Sequence, residues 1–399
     1  MSPLMSLEAA LQALLDEAGR TPIEGCERVA LAQAQGRVLA EPLVAGGDLP
    51  PWPNSAMDGY AFKASDYRGE ALAVSQTVFA GRAPAALQPG TCARIFTGAP
   101  LPAGADVVEM QENARVQDDG RVQFCAPLTV GRHVRPQAGE ARQGEVVLPA
   151  GVRLGPIPLG LAAALGLSEV QVKPRPRVAL LSTGDELVEP GNPLGPGKIY
   201  NSNRYLLRSW LERLGCAVED VGILPDDAEG TRRRLAALGG HDLILSTGGV
   251  SVGEADFLGQ VLREEGEQVL WKLALKPGKP LTCGRFRGTP VIGLPGNPAS
   301  ALVTFGLLAR PYLLRRLGVE AVEPLGFEVP CGFEWPRPGT RREFLQGRLQ
   351  EGRAVLAGNQ SSSVLRTAAQ AHGLIEMREG RPVSPGEPVR FIPYAQLFD

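Results

Sequence analysis

Two apolar runs in the middle of the chain end in the same three residues and open into glycine-rich turns. Val178-Ala-Leu-Leu-Ser182 leads into Thr183-Gly184-Asp185-Glu186, and Asp242-Leu-Ile-Leu-Ser246 leads into Thr247-Gly248-Gly249 and on to Asp256. A third run, Pro290-Val-Ile-Gly293, opens into Leu294-Pro295-Gly296-Asn297-Pro298. Short apolar runs bounded by turn signals have the length of buried strands, whereas Arg204 to Leu214 carries Tyr205, Leu206, Trp210, Leu211 and Leu214 at helical spacing. The order strand, helix, strand predicts a doubly wound, mostly parallel α/β/α domain with helices on both faces of its sheet. Ligands of such sheets bind outside the carboxyl ends of the strands, where all three polar loops fall.

Composition excludes several other classes. A chain of 399 residues has room for roughly two to four domains. A formal net charge of -2 gives no global basic field for nucleic acid and no acidic tail. The six cysteines, Cys26, Cys92, Cys125, Cys216, Cys283 and Cys331, include no Cys-x-x-Cys pair, so free and mostly buried thiols in a reducing cytoplasm are expected. Three histidines, His133, His241 and His372, leave little basis for a histidine metal cluster or a Ser-His-Asp triad. The longest near-apolar run, Leu154 to Leu167, is short for a membrane span and interrupted by Gly and Pro. No secretory pattern precedes it, so the chain reads as cytoplasmic and not membrane-bound.

Along the chain, Ser6 is placed to cap a helix with Leu7, Leu11, Leu14 and Leu15 on one face, and a second helix is expected over Ala30 to Gln35, followed by a strand-like Arg37 to Leu43. Three prolines keep Gly46 to Pro53 from being helical and lead to Asp58-Gly59, which an ordinary Asp-Gly turn at a domain boundary would also explain. From Tyr60 to Val134 short alternating runs predict a small all-β piece, in which Thr97 and the amides after it could meet an anion. Lys173-Pro-Arg-Pro-Arg177 reads as a domain linker, and Val322 onward as a second β-rich piece. Ser361 to Ser363 is expected to cap a helix over Val364 to Ala371.

The glycine loops suit phosphate oxygens, because Gly248, Gly249 and Gly253 let backbone amides converge. Carboxylates crowd the same loops: Asp185, Glu186, Asp226, Asp227, Glu254 and Asp256. They would repel an anionic ligand unless a divalent cation lay between, and Mg²⁺, held by one or two carboxylates with phosphate and water, fits. Lys272, Lys276 and Lys279 add ammonium groups between two of the loops, although lysines also serve simply to protect a strand edge. Neither Gly197-Lys198 nor Gly278-Lys279 is a P-loop, and no dinucleotide fingerprint is present. The residues alone therefore point to a magnesium-dependent enzyme or binder acting on a phosphorylated small molecule.

Six motifs in order carry a more specific resemblance: Asn54 to Ala61, Thr97 to Pro100, Ser182 to Leu187, Ser246 to Asp256, Lys276 to Pro280 and Leu294 to Pro298. Together they closely resemble the bacterial MoeA family of molybdopterin molybdenumtransferases and the E domain of gephyrin. The resemblance implies an enzyme that binds adenylylated molybdopterin, inserts molybdenum from molybdate with Mg²⁺ and releases AMP. Carried over by motif, Asp58, Thr97, Glu186 and Asp256 are the expected catalytic residues. Asp226, Lys272, Lys276, Pro295 and Pro298, with the loop residues Ser182, Thr183, Gly184, Ser246, Gly248, Gly249 and Ser251, are expected to bind substrate. Glu186, Asp226 and Asp256 are the expected Mg²⁺ ligands. Where the family pattern has Asp, this chain has Glu140, which keeps the charge and lengthens the reach by one methylene.

The resemblance also implies a homodimer with sites shared between subunits, each of four domains. These are a split N-terminal domain (1–45 and 140–175), an inserted β-rich domain (46–139), a central α/β domain (176–321) and a C-terminal β-rich domain (322–399). The molybdopterin adenylyltransferase and molybdoenzyme chaperones are the implied protein partners. Two alternatives stand beside this reading. One is the adenylyltransferase step itself, whose enzyme resembles the central module alone; the other is a gephyrin-like scaffold that binds a partner peptide.

Overall fold

The computed structural model describes residues 4–125, 129–224, 227–249 and 257–398. The chain forms two compact units: Met1–Ala40, Gly151–Gly155 and Gln171–Asp399 in one, Glu41–Ala150 and Pro156–Val170 in the other.

The first unit begins with α1 (Leu7–Arg20), whose N-cap Ser6 accepts a hydrogen bond from the Ala9 amide at 3.1 Å. Its central sheet is built from β1 (Arg177–Thr183), α2 (Ser202–Arg213), β2 (Ala217–Leu224), α3 (Ala228–Ala236), β3 (Leu243–Thr247), α4 (Phe257–Glu265), β4 (Gly266–Lys272), β5 (Pro280–Phe286) and β6 (Thr289–Leu294). The strand order is β2-β1-β3-β6-β5-β4, parallel from β2 to β6 and antiparallel across β5 and β4. The period of two along β1 sends Val178 and Leu180 into one core with Leu207, Trp210 and Phe305, and Ala179 and Leu181 into another with Leu235, Leu258 and Val261. Both faces are therefore covered by helices, as the apolar runs require. Each fully buried leucine contributes roughly 1.5–3 kcal/mol.

After β6, α5 (Pro298–Thr304) continues through a π turn over Phe305–Ala309 into α6 (Arg310–Arg316). Pro311 lacks the N–H that Leu307 would receive in a regular helix, and the widened turn accommodates its ring. The C-terminal sheet comprises β7 (Phe327–Pro330), β8 (Arg342–Gln350), β9 (Arg353–Leu356), β10 (Gly373–Met377) and β11 (Pro388–Pro393), with α7 (Leu365–Gln370) before β10 and α8 (Tyr394–Phe398) at its end. Leu275–Lys276 joins its edge, parallel to β8. The segment between two glycine loops of one sheet is thus also a strand of the other.

In the second unit, Ala73–Val78, Thr91–Ile95, Gly59–Phe62 and Val107–Met110 form a four-stranded sheet, with a hairpin of Ala114–Val116 and Val122–Phe124 beside it. Phe62 stacks on Phe124 at 4.3 Å in its core. Gly59 opens a strand, and a Cβ there would sit 1.9 Å from the Glu109 carbonyl oxygen. Close packing, more than turn chemistry, therefore fixes glycine after Asp58.

Three local expectations fail. The strand-like Arg37 to Leu43 makes only isolated bridges at Val38 and Leu39 before a two-residue strand, Leu43–Val44. Ala30 to Gln35 is a strand end followed by a single 3₁₀ turn, Leu31–Gln33, because the segment is too short to repay helix nucleation. Ser361–Ser363 does not cap α7: its N-cap is Val364, with no side-chain bond, and Ser362 instead offers its carbonyl to the Ala299 amide at 3.0 Å. All six cysteines are free, with Cys92, Cys216, Cys283 and Cys331 buried. Among the described residues no helix is long and apolar enough to cross a membrane.

Candidate active site

Register brings the polar strand ends level. Ser182 of β1 pairs with Thr247 of β3, which pairs with Leu294 of β6, so three loops leave the sheet side by side. Below them an asparagine pair at the start of α2 ties the ends together. Asn201 donates to Ser182 Oγ at 3.1 Å, and Asn203 donates to Thr247 Oγ1 at 2.8 Å and to the Gly296 carbonyl at 2.7 Å. Gly248 and Gly249 adopt φ of +86° and +62°, and a Cβ on them would approach Thr183 O to 2.5 Å and Thr183 Oγ1 to 2.6 Å. Only glycine lets that loop lie against Thr183.

Above the strand ends lies a cleft of about 1020 Å³. The central sheet contributes Thr183, Gly184, Glu186, Gly248, Gly249, Pro295 and Gly296, and the C-terminal sheet and its loops contribute Trp335, Arg341, Glu343, Ser361 and Ser362. Lys276 and Lys279 line it from the connecting segment. The Glu186 carboxylate folds over Gly184, whose built Cβ would lie 2.5 Å from Glu186 Oε2, and it makes no ion pair among the described residues. Lys276 Nζ sits 2.9 Å from Oε2 of buried Glu343. Arg341 donates to the Leu275 carbonyl at 3.2 Å. Lys279 is exposed, without an ion-pair partner among the described residues. The cleft thus offers one open carboxylate and several cationic groups to a ligand of mixed charge.

A second lobe of about 590 Å³ shares Thr183, Glu186, Gly248, Gly296 and Asn297 with the first. Leu187, Ile199, Tyr200 and Pro298 add apolar wall, and Asn201 and Asn203 are also in its lining. Two buried polar atoms of its lining residues, Thr183 Oγ1 and Asn203 Oδ1, have no hydrogen-bond partner among the described residues, and neither has Ser246 Oγ beneath the loops. Such atoms are uncommon in a core and recur where a ligand completes them.

In the other unit, Asp58 Oδ1 accepts from the Thr97 amide at 2.7 Å and from Thr97 Oγ1 at 2.8 Å. Thr97, expected with the amides after it to meet an anion, bonds this carboxylate through its own amide and hydroxyl. That amide and then the hydroxyl hold the Asp58 carboxyl below its ordinary value, against an opposing effect of burial, with nearby Arg94 adding a lesser lowering. In Thr97→Val the hydroxyl bond is lost and the amide bond stays. Carboxyl NMR is expected to show Asp58 titrating higher than in the parent protein yet still below an unperturbed aspartate; an unchanged midpoint would deny Thr97 that role.

Sequence motifs single out Asp58 and Thr97 separately, and the structure bonds them. It gathers Thr183, Gly184, Glu186, Gly248, Gly249, Lys276 and Pro295 around the main cleft, with Pro298 in the second lobe. Ser182 and Ser246 are buried beneath the loops. Lys272 ends β4 opposite Pro280 and is not among the residues lining the cleft. Asp227 caps α3, accepting from the Gly230 amide at 2.6 Å. Asp226, Ser251, Glu254 and Asp256 lie outside the described residues, so of the expected metal ligands only Glu186 is described. No group of three or more His, Cys, Asp or Glu side chains suited to a metal occurs among the described residues. Sequence reasoning missed Trp335 and Asn203; an Asn just ahead of a helical run was the available sign of the latter.

Three family models match in order: the MoeA N-terminal region (domains I and II) over residues 5–166, a probable molybdopterin binding domain over 179–315, and the MoeA C-terminal region (domain IV) over 328–394. A molybdopterin molybdenumtransferase of Haemophilus influenzae is 38% identical over 93% of this chain and 95% of its own. Molybdopterin molybdenumtransferase 2 of Mycobacterium tuberculosis is 38% identical over 88% of this chain and 90% of its own. A crystal structure of the molybdopterin biosynthesis moeA protein from Pyrococcus horikoshii OT3 superposes with a TM-score of 0.83 at 28% identity, covering 98% of this chain and 100% of that one. Cleft, loop order and relatives agree along nearly the whole length, and the chain belongs to the MoeA family of molybdopterin molybdenumtransferases.

Proposed function

We propose that this protein is a molybdopterin molybdenumtransferase of molybdenum cofactor biosynthesis, taking adenylylated molybdopterin and molybdate and releasing AMP. The observation that carries this reading is the cleft at the carboxyl ends of the parallel strands, where Glu186, a carboxylate with no ion-pair partner among the described residues, lies with Lys276, Lys279 and Arg341. Phosphate and molybdate are both tetrahedral oxyanions, which ammonium and guanidinium groups hold by charge-assisted hydrogen bonds. Mg²⁺ fits this donor set, since it is usually held by one or two carboxylates together with phosphate oxygens and water. Glu186, with Asp226 and Asp256, would hold it, and when bound it would neutralise charge on the phosphates.

In this reading Lys276 and Lys272 hold oxyanions. Ser182, Thr183, Gly184, Ser246, Gly248, Gly249, Ser251, Pro295 and Pro298 shape the substrate-binding loops. Asp58 and Thr97 act as a hydrogen-bonded pair. The four-domain division at 1–45 with 140–175, 46–139, 176–321 and 322–399 accompanies it, as do a cytoplasmic location and contacts with the adenylyltransferase and molybdoenzyme chaperones.

A homodimer is part of the proposal, and one surface supports it. Helix Pro156–Ala164 is apolar throughout, yet only Ala162 is buried and Ile157 is 84% exposed. An apolar helix left this bare marks an interaction surface, and a twofold partner would cover it. The function is tested by product: purified protein with adenylylated molybdopterin, molybdate and Mg²⁺ should release AMP and yield metallated pterin. Consumption of ATP on free molybdopterin, without AMP release from the adenylylated form, would assign it to the preceding adenylyl transfer instead.

A further inference from the structure

We propose that Arg94 is a positioning residue for Asp58, fixing the backbone on which that carboxylate stands so that its one free oxygen, Oδ2, is presented in a single orientation. The inference deepens the reading of Asp58 as an active-site residue and rests on it. Asp58 and Thr97 stand just outside two paired strands, Gly59–Phe62 and Thr91–Ile95, with Gly59 opposite Ile95 and Tyr60 opposite Arg94. Thr97 occupies Asp58 Oδ1 with both of its donors, and Oδ2 accepts no hydrogen bond among the described residues. The two carbonyls on either side of the Asp58–Gly59 link are also held. Arg94 Nη1 donates to the Gly59 carbonyl at 2.8 Å, and the Gln111 amide donates to the Asp58 carbonyl at 3.1 Å. Arg94 Nη2 closes the circuit by donating to Gln111 Oε1 at 2.6 Å.

The guanidinium is itself fixed. It lies over the Tyr60 ring, 5.1 Å from the centroid, and over the Phe96 ring at 4.6 Å, and Phe96 in turn stacks on Phe79 at 4.9 Å. A planar fork serves two acceptors and two ring faces at once, whereas a lysine ammonium keeps the charge on a flexible stem and loses that geometry. Among the described residues Arg94 makes no ion pair, so its donors are spent on neutral groups that flank Asp58. Gly59 is thus gripped twice, at its carbonyl by Arg94 and at its Cα by the Glu109 backbone, 1.9 Å from where a Cβ would lie.

Arg94→Lys in the full-length protein separates position from charge. Turnover, read as AMP release from adenylylated molybdopterin, should fall about 10-fold or more in kcat while KM stays within about 2-fold. Carboxyl NMR should show Asp58 titrating higher than in the parent protein, because a loosened backbone weakens the two Thr97 bonds while the positive charge remains. Gln111→Ala removes one acceptor and no charge, and should move both readouts the same way by less. An unchanged Asp58 midpoint or a parent kcat in Arg94→Lys overturns the proposal, since Arg94 then acts as a charge or a sheet contact alone. If Arg94→Lys does not fold, parent behaviour of Gln111→Ala overturns it instead. Asp58→Ala, measured alongside, keeps the two failures apart. If Asp58→Ala is impaired and Arg94→Lys is not, the positioning role falls and the reading of Asp58 stands; if Asp58→Ala turns over at the parent rate, that reading fails and the proposal with it.

Discussion

Glu186→Gln is expected to lower molybdenum insertion by about 10²-fold or more, with a Tm within about 2 °C of the parent protein. The two halves of that result come from different features of one side chain. Glu186 is exposed, has no ion pair among the described residues, and contributes no apolar packing, so its replacement by an isosteric amide removes nothing the fold depends on. It is also the one described carboxylate expected to hold Mg²⁺, and a neutral amide cannot balance the charge of the cation. Excess Mg²⁺ should recover little of the loss if the carboxylate works when the metal is already bound, and much of it if affinity alone has fallen. Calorimetric melting beside a turnover assay checks both halves. Unchanged turnover would remove Glu186 from the chemistry, and a large fall in Tm would show it to be structural.

The central sheet could be read from sequence because its strands are buried on both faces, which forces near-continuous apolar runs, and because each ends in an obligatory turn. Val178 to Ser182 and Asp242 to Ser246 had few other ways to fold. Local patterns mislead where tertiary contacts outweigh local preference. Ser361–Ser363 has the composition of a cap, but its backbone is used to dock against Ala299. Asp227 belongs to a run of loop acids in sequence, yet its carboxylate is used to cap α3.

The same limit applies to the site. Glycine and carboxylate motifs found one wall of the cleft, since those residue types are required by geometry and charge. The opposite wall includes Trp335 and Glu343, which are ordinary in sequence and gain meaning only because Leu275–Lys276 pairs with β8. Lys276 illustrates the difference: its place in the chain sets a charge between two loops, while register puts Glu343 beside it at 2.9 Å. Pairing of that kind depends on which strands meet, and one chain's residue pattern does not specify it.

Mixing Asp58→Ala chains with Glu186→Ala chains is expected to return about half of the parent turnover per hybrid dimer, given independent sites. Asp58 belongs to one compact unit and Glu186 to the other. If the proposed homodimer builds each site from complementary parts of two subunits, the hybrid carries both lesions in one site and none in the other. If every site is built within one chain, each site of the hybrid keeps one lesion and no turnover returns. Neither substitution should disturb folding, since the Asp58 carboxylate bonds to Thr97 at a partly exposed position and Glu186 is exposed at the cleft. Each variant must be inactive alone, and hybrids must be isolated by differential tags so that recovered activity is assigned to them. Isolated hybrids with no recovered turnover would exclude shared sites, whereas release of AMP at half the parent rate would place Asp58 of one subunit in the same site as Glu186 of its partner.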